Sequence, residues 1–121
     1  MVTTSDHNLS SDSSCAFSDA GSKQGVEPNL GPLADNGPST FTRALLGASP
    51  AINAADNANC AGTLDQRGVA RPQGAACDIG AYEAQPPTAS TDAASALGST
   101  LATLNATINP ASLPTTFSFQ Y

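Results

Sequence analysis

Apolar and polar residues alternate at two-residue spacing only near the C-terminal end of the chain. In residues 102–108 every second position is Ala, Leu or Ile, with Thr or Asn between them. Aromatic residues occupy every second position of residues 117–121, and Asn109-Pro110 separates the two stretches. This period is typical of half-buried strands. We therefore predict two strands here, too few to cover both inner faces of a β-sandwich.

The first 84 residues show no helical period and are rich in turn-forming residues. Between residues 27 and 37, two prolines and two glycines interrupt any regular element. Residues 41–47 predict either a short strand or a helical turn ending at Gly47. We expect short strands and turns in this region, with little helix anywhere in the chain.

A change in composition after Tyr82 predicts a domain boundary near residue 85. The sequence Ala-Gln-Pro-Pro-Thr-Ala-Ser at residues 84–90 has the composition of a linker. The predicted organisation is a first domain over residues 1–84, a linker leading into the next domain over 85–99, and an incomplete set of strands over 100–121.

The composition limits the size of the hydrophobic core and the kinds of partner that the chain can bind. Aromatic residues make up 5% of the chain and Trp is absent, so the available core is thin. Four Lys and Arg against ten Asp and Glu give a net charge of -6, which would repel a nucleic-acid backbone. No apolar run is long enough to span a bilayer, and the first residues lack the pattern of a secretory signal. If the parent protein is exported, we expect its signal outside this chain.

The three cysteines predict one disulfide and an oxidising compartment. Cys60 and Cys77 flank a turn-rich segment with little core of its own, so we predict that they form a disulfide. Cys15 is then free, or paired with a residue outside this chain. The cysteines lack the spacing of a zinc site and have no neighbouring histidine.

Three stretches together resemble the signature of the choice-of-anchor Q family. They are LGPLADNG at residues 30–37, GASPAI at 47–52, and the segment that runs from DQRG at 65–68 through CDIGAYE at 77–83. The family consists of bacterial surface proteins with right-handed parallel β-helix bodies, and this signature marks the C-terminal end of the helix. The tail from residue 88 to 121 is similar to the opening strands of fibronectin type III-like repeats. The resemblance implies a mostly-β chain: the end of a parallel β-helix followed by an incomplete β-sandwich.

A solenoid end exposes unpaired backbone groups and therefore needs a cap. Arginine is suited to this role because its planar guanidinium donates to carboxylates and to strand-end carbonyls in fixed geometry. The alternative is that these groups are solvated surface charges of little energetic weight. We favour a structural capping role for a set of five charged residues, Asp65, Arg67, Arg71, Asp78 and Glu83.

The sequence predicts no catalytic, cofactor-binding or metal-binding residue. His7 is the only histidine, and no nucleophile-elbow sequence accompanies it. Three aspartates of the opening segment lack the dense alternation and fixed glycine of a calcium loop, which favours solvated turn residues: Asp6, Asp12 and Asp19. We expect no cofactor.

The function expected from these observations is a non-catalytic structural or adhesive segment of a secreted bacterial cell-surface protein. Its partners would be surface glycans or cell-surface proteins, contacted through the parent protein. The alternative is the C-terminal fragment of a carbohydrate-active β-helix enzyme, a polysaccharide lyase or hydrolase, with its active site upstream. A separate sugar-binding module is disfavoured because no cluster of exposed aromatic residues is evident from the sequence.

Overall fold

The computed structural model describes residues 6–37, 40–111 and 113–120. The chain forms two compact units, Met1–Gln85 and Pro86–Tyr121, which divide beside the Pro86-Pro87 pair. The regular structure is nearly all β, as the composition predicts, and the one helix in the described residues has four residues. The elements are β1 Leu30–Ala34, β2 Thr42–Leu45, α1 Asn57–Cys60, β3 Thr88–Ser95 and β4 Thr103–Asn109.

An isolated parallel bridge joins two stretches of the opening segment. Leu9 and Lys23 are the bridge partners. The Lys23 backbone amide donates to the Asn8 carbonyl at 2.7 Å, and the Ser10 amide donates to the Lys23 carbonyl at 2.8 Å. The Lys23 ammonium group also donates to the Pro50 carbonyl at 2.7 Å. The bond from Lys23 to Pro50 therefore links the opening segment to the rest of unit 1.

β1 and β2 form a two-stranded antiparallel sheet. Leu30 pairs with Leu45 and Leu33 with Arg43, with an irregularity between the two pairs. Pro32 lies within this irregular stretch of β1, and it has no backbone N–H to donate to a ladder. Residues 42–45 are thus a strand, which decides between the two alternatives that the sequence left open.

The core of unit 1 is small, as the scarcity of aromatic residues predicts. Three alanines supply much of it, and alanine buries little area. Tyr82 is its only aromatic member. The buried cluster comprises Ala44, Leu45, Ala51, Tyr82 and Ala84, with Leu9, Ile52 and Ile79 packed against it.

A tight hairpin follows α1 and carries two residues of the predicted cap. Leu64 and Ala70 form an antiparallel bridge, and the Asp65 amide donates to the Val69 carbonyl at 2.8 Å. Gly68 closes the turn with φ of +85°, a conformation that glycine adopts without the strain of a side chain. The Gly68 amide donates to the Asp65 carbonyl at 3.0 Å. Asp65 and Arg67 are therefore held on one short turn.

Unit 2 contains a single antiparallel hairpin, β3 and β4. The register pairs Ala89 with Ile108 and Thr91 with Ala106, so these four side chains lie on one face. β4 lies where the alternation predicts a strand. β3 occupies Thr88–Ser95, within the stretch 85–99 that the sequence predicts as a linker and the entry to the next domain. Residues 117–120 form no strand, although the aromatic alternation predicts one there.

The strand pairings establish a mostly-β fold and nothing finer. Both sheets are antiparallel. In the described residues the only parallel pairing is the isolated bridge between Leu9 and Lys23. The right-handed parallel β-helix implied by the resemblance is therefore not shown by these pairings. In the described part of the chain, no helix has the length and apolar character needed to cross a membrane.

Candidate functional site: a buried charge network

Asp65 and Arg67 form a buried ion pair across the hairpin turn. Arg67 donates from Nε and Nη2 to Asp65 Oδ2, at 2.9 and 2.7 Å. The side chains are 5% and 0% exposed for Arg67 and Asp65, respectively. The other carboxylate oxygen, Oδ1, accepts from the backbone amides of Arg67 and Val69 at 2.7 and 2.9 Å. Both oxygens of this carboxylate thus accept hydrogen bonds from groups of the protein itself.

Arg67 also connects the hairpin to the end of unit 1. Its Nη2 donates to the Glu83 carbonyl oxygen at 2.6 Å, and the Glu83 amide donates to Asp65 Oδ2 at 2.9 Å. The guanidinium carbon lies 3.5 Å from the centre of the Tyr82 ring, within the range of a cation–π contact. These contacts fix residues 82 and 83 against the turn at residues 65–67.

Glu83 is fully buried and pairs with the second arginine. Its Oε2 lies 3.3 Å from Arg71 Nη1. The amides of Gln73 and Asp78 donate to the two Glu83 carboxylate oxygens at 2.9 and 3.0 Å. Arg71 donates to two backbone carbonyls as well, those of Asp78 at 2.7 Å and Gly80 at 2.6 Å. The Arg71 side chain therefore binds the segment before Glu83 at two backbone carbonyls and Glu83 itself at its carboxylate.

Asp78 completes the arrangement, which we call the charge network: Asp65, Arg67, Arg71, Asp78 and Glu83. The Asp78 side chain accepts from the Asn53 amide at 2.7 Å and from the Ala84 amide at 2.6 Å. It is 2% exposed. Because its two oxygens accept from amides 31 residues apart in sequence (84 minus 53), Asp78 joins two segments that are distant along the chain.

The pKa values of the two buried aspartates are shifted in opposite directions. Burial raises the pKa of the Asp65 carboxyl, but the amides of Glu83 and Val69 and the Arg67 side chain outweigh it, so this pKa is below its ordinary value of 3.8. For Asp78, burial together with the nearby Glu83 charge outweighs its hydrogen bonds and raises the pKa above 3.8.

These shifts predict a pH dependence of stability with two signs. Asp65 stabilises the fold above its ordinary pKa, and this contribution is lost as the pH falls through its lower folded pKa, below 3.8. Asp78 acts oppositely, because its folded pKa is raised and proton uptake favours the folded state. We expect the urea midpoint of the Asp65→Asn variant to fall less than that of the wild type on acidification below pH 3.8. An equally steep fall in both proteins would contradict this assignment.

A disulfide closes the loop that carries three of the network residues. Cys60 and Cys77 are bonded in the structure, which is the pair that the sequence predicts. Cys77 is fully buried, and its backbone amide donates to Asn57 Oδ1 at 2.9 Å. Cys15 is a free and exposed thiol.

The aspartates of the opening segment make local turn contacts. Asp12 Oδ1 accepts from the Ser14 amide at 2.8 Å and hydroxyl at 2.6 Å, and these bonds lower the Asp12 pKa. Asp19 Oδ1 accepts from the Ser22 amide at 2.7 Å. Such bonds are typical of Asx turns. Across residues 6–37, 40–111 and 113–120, no group of three or more His, Cys, Asp or Glu side chains could hold a metal ion.

His7 lies against Asp6, with its Nδ1 at 3.1 Å from Asp6 Oδ1. No serine hydroxyl in the described residues donates a hydrogen bond to the His7 ring. A nucleophile–base pair requires such a contact or a close approach to it. This histidine therefore lacks the arrangement of a Ser-His-Asp site in the structure.

Comparison of the chain with protein-family models, with curated proteins and with solved structures finds no match. The interpretation of the charge network accordingly depends on its own geometry.

The structure brings together all five charged residues of the predicted cap, which the sequence alone could not establish. Sequence reasoning missed the contact between Arg67 and the Tyr82 ring, and it missed Asn53 and Gln73 as amide donors. No sequence signal identifies a backbone amide as a partner, because every residue except proline carries one.

Proposed function

We propose that this chain is a non-catalytic structural or adhesive segment of a secreted bacterial cell-surface protein. In this proposal, unit 1 is the capped C-terminal end of a right-handed parallel β-helix of the choice-of-anchor Q kind. Unit 2 is the start of a fibronectin type III-like β-sandwich that other strands complete. The observation that supports this proposal is that the side chains of the charge network form hydrogen bonds with the protein's own backbone.

The bonding of the arginines favours a structural role over a catalytic one. Arg67 and Arg71 donate to four backbone carbonyls, those of Asn36, Asp78, Gly80 and Glu83. Their other close partners are the Asp65 and Glu83 carboxylates and, for Arg67, the Tyr82 ring. A site for substrate would need charged groups aimed into an accessible cleft. Here the network side chains are at most 9% exposed, and their polar atoms bond to carbonyls and amides of the chain itself, as expected of a cap.

Two further features support an extracellular β-rich segment. A disulfide within a thin-cored unit is typical of proteins in oxidising compartments. The parallel bridge between Leu9 and Lys23 is the kind of pairing that successive coils of a parallel solenoid make. Adhesion would involve surface glycans or cell-surface proteins, contacted through the parent protein as a whole.

The proposal is tested by removing the arginines one at a time. We expect Arg67→Ala and Arg71→Ala each to lower the free energy of unfolding of unit 1 by about 1–3 kcal/mol, because buried carboxylates and carbonyls lose their donors. Urea denaturation followed by NMR signals of residues 6–85 measures this effect. Arg43→Ala is the matched control, since Arg43 is exposed and forms no ion pair in the described residues. Midpoints of both network variants equal to the control would refute the capping role.

A further inference from the structure

Unit 1 contains an apolar groove of about 410 Å³ that the charge network does not occupy. Leu45 and Tyr82 line it and are 3% and 7% exposed, so they form its floor. Leu33 and Phe41 also line it but are 59% and 63% exposed, so they form its rim. The apolar groove thus has a buried floor and a hydrophobic rim that faces solvent.

The size and lining of the apolar groove match those of small-ligand sites. Such sites have volumes of about 300–1,000 Å³ and mostly apolar walls, with a few polar groups that orient the ligand. Arg43 is the only charged residue among the described residues that line the apolar groove. The chain as a whole has a net charge of -6, so an isolated cation beside an apolar surface is a distinctive local feature.

Arg43 has donors available for a ligand. It pairs with Leu33 in the sheet, which places both side chains on the same face beside the groove. Its Nη1 donates to the Gly31 carbonyl at 3.0 Å. In the described part of the chain, Arg43 forms no ion pair with a carboxylate. A guanidinium with free N–H groups binds carboxylates in a two-pronged geometry.

We propose that the apolar groove binds a free single-chain carboxylate, an organic anion with an unbranched hydrocarbon tail. The tail packs on Leu45 and Tyr82, and the carboxylate accepts hydrogen bonds from Arg43. A membrane surface is a poorer match, because attraction to anionic lipids requires a cluster of basic residues rather than one. Strand addition by a peptide is also disfavoured at β1, because Pro32 removes a backbone donor there.

The test is calorimetric titration of the full chain with octanoate, decanoate and dodecanoate, each below its micelle-forming concentration. We expect one bound anion per chain, and affinity that rises about fourfold for each added methylene until the groove is filled. Dodecyltrimethylammonium, which has an unbranched tail of nearly the same length and the opposite charge, should bind much more weakly. The absence of saturable binding, or equal binding of anion and cation, would overturn the proposal.

Matched variants identify the site. Arg43→Gln should weaken dodecanoate binding about tenfold, whereas Lys23→Gln removes the same charge outside the groove and should leave binding unchanged. Leu33→Ser should weaken binding about threefold or more, whereas Leu64→Ser changes a similarly exposed leucine that does not line the groove. Binding that is insensitive to Arg43→Gln and Leu33→Ser would overturn the assignment.

Sedimentation distinguishes the other occupants. If the wild-type chain self-associates and Phe41→Ser abolishes the association, a second copy covers the apolar groove and the proposal fails. Binding to anionic vesicles at the affinity of free dodecanoate would likewise replace the free anion with a lipid surface. The proposal is independent of the capping role, because none of these variants alters the charge network.

Discussion

Replacing Asp65 with alanine will lower the free energy of unfolding of unit 1 by about 3 kcal/mol, because it leaves a buried guanidinium without its counter-ion. The side chain accepts from the amides of Arg67, Val69 and Glu83 as well as from the Arg67 guanidinium. The change therefore leaves several buried donors unpaired at once. The loss should exceed that of Arg67→Ala, in which the Asp65 carboxylate keeps three amide donors.

Urea denaturation and amide exchange together measure this effect. The Glu83 amide, which donates to Asp65 at 2.9 Å, should lose its protection from exchange in the Asp65→Ala variant. Asp35→Ala is the control, because Asp35 is exposed and its Oδ1 accepts a local bond from the Gly37 amide at 3.2 Å. If Asp65→Ala unfolds at the same urea concentration as Asp35→Ala, the ion pair has no structural role.

Reduction of the Cys60–Cys77 disulfide should destabilise unit 1 by about 3 kcal/mol in the chain-entropy model. The bond closes a loop with a sequence separation of 17, and this loop carries Asp65, Arg67 and Arg71. Reduction gives this loop more conformational freedom in the unfolded state, so that folding loses more conformational entropy. We expect the reduced chain to unfold at a lower urea concentration than the oxidised chain. The Cys15→Ser variant should show the same difference between its oxidised and reduced forms, because Cys15 is not part of the bond.

Peptide mapping tests the pairing itself. Trypsin cleavage after Arg67 of the unfolded, unreduced chain leaves two peptides that only this disulfide joins. They should migrate as one species until reductant is added. Separation of the peptides without reductant, or three titratable thiols per chain, would exclude the bond.

The hairpin of unit 2 shows where sequence periodicity succeeds and fails. Alternation of Leu, Ala and Ile with polar residues in β4 correctly predicts a strand. β3 has the sequence Thr-Ala-Ser-Thr-Asp-Ala-Ala-Ser, in which small residues give little contrast between its two faces. Its partner β4 supplies the ladder hydrogen bonds that make it a strand. Residues 117–120 have a strong alternation but are not paired with a strand in the structure.

For the charge network too, the sequence predicts some features and the tertiary structure decides the others. The sequence indicates five charged residues in two short segments and the suitability of arginine for a cap. It does not indicate that Asp65 and Glu83 bury their carboxylates completely. Burial depends on which backbone amides surround an oxygen, and those of Gln73 and Asn53 reach the network only after the chain has turned back on itself.

The sequence by itself determined the mostly-β class and the small core, because these follow from the numbers of aromatic, alanine and turn-forming residues. It also indicated the disulfide pair, since both cysteines flank a single turn-rich loop. Tertiary structure alone decided the opposite pKa shifts of Asp65 and Asp78 and placed Arg43 beside the apolar groove. These properties arise from contacts between residues far apart in sequence, whose distances and burial no local pattern encodes.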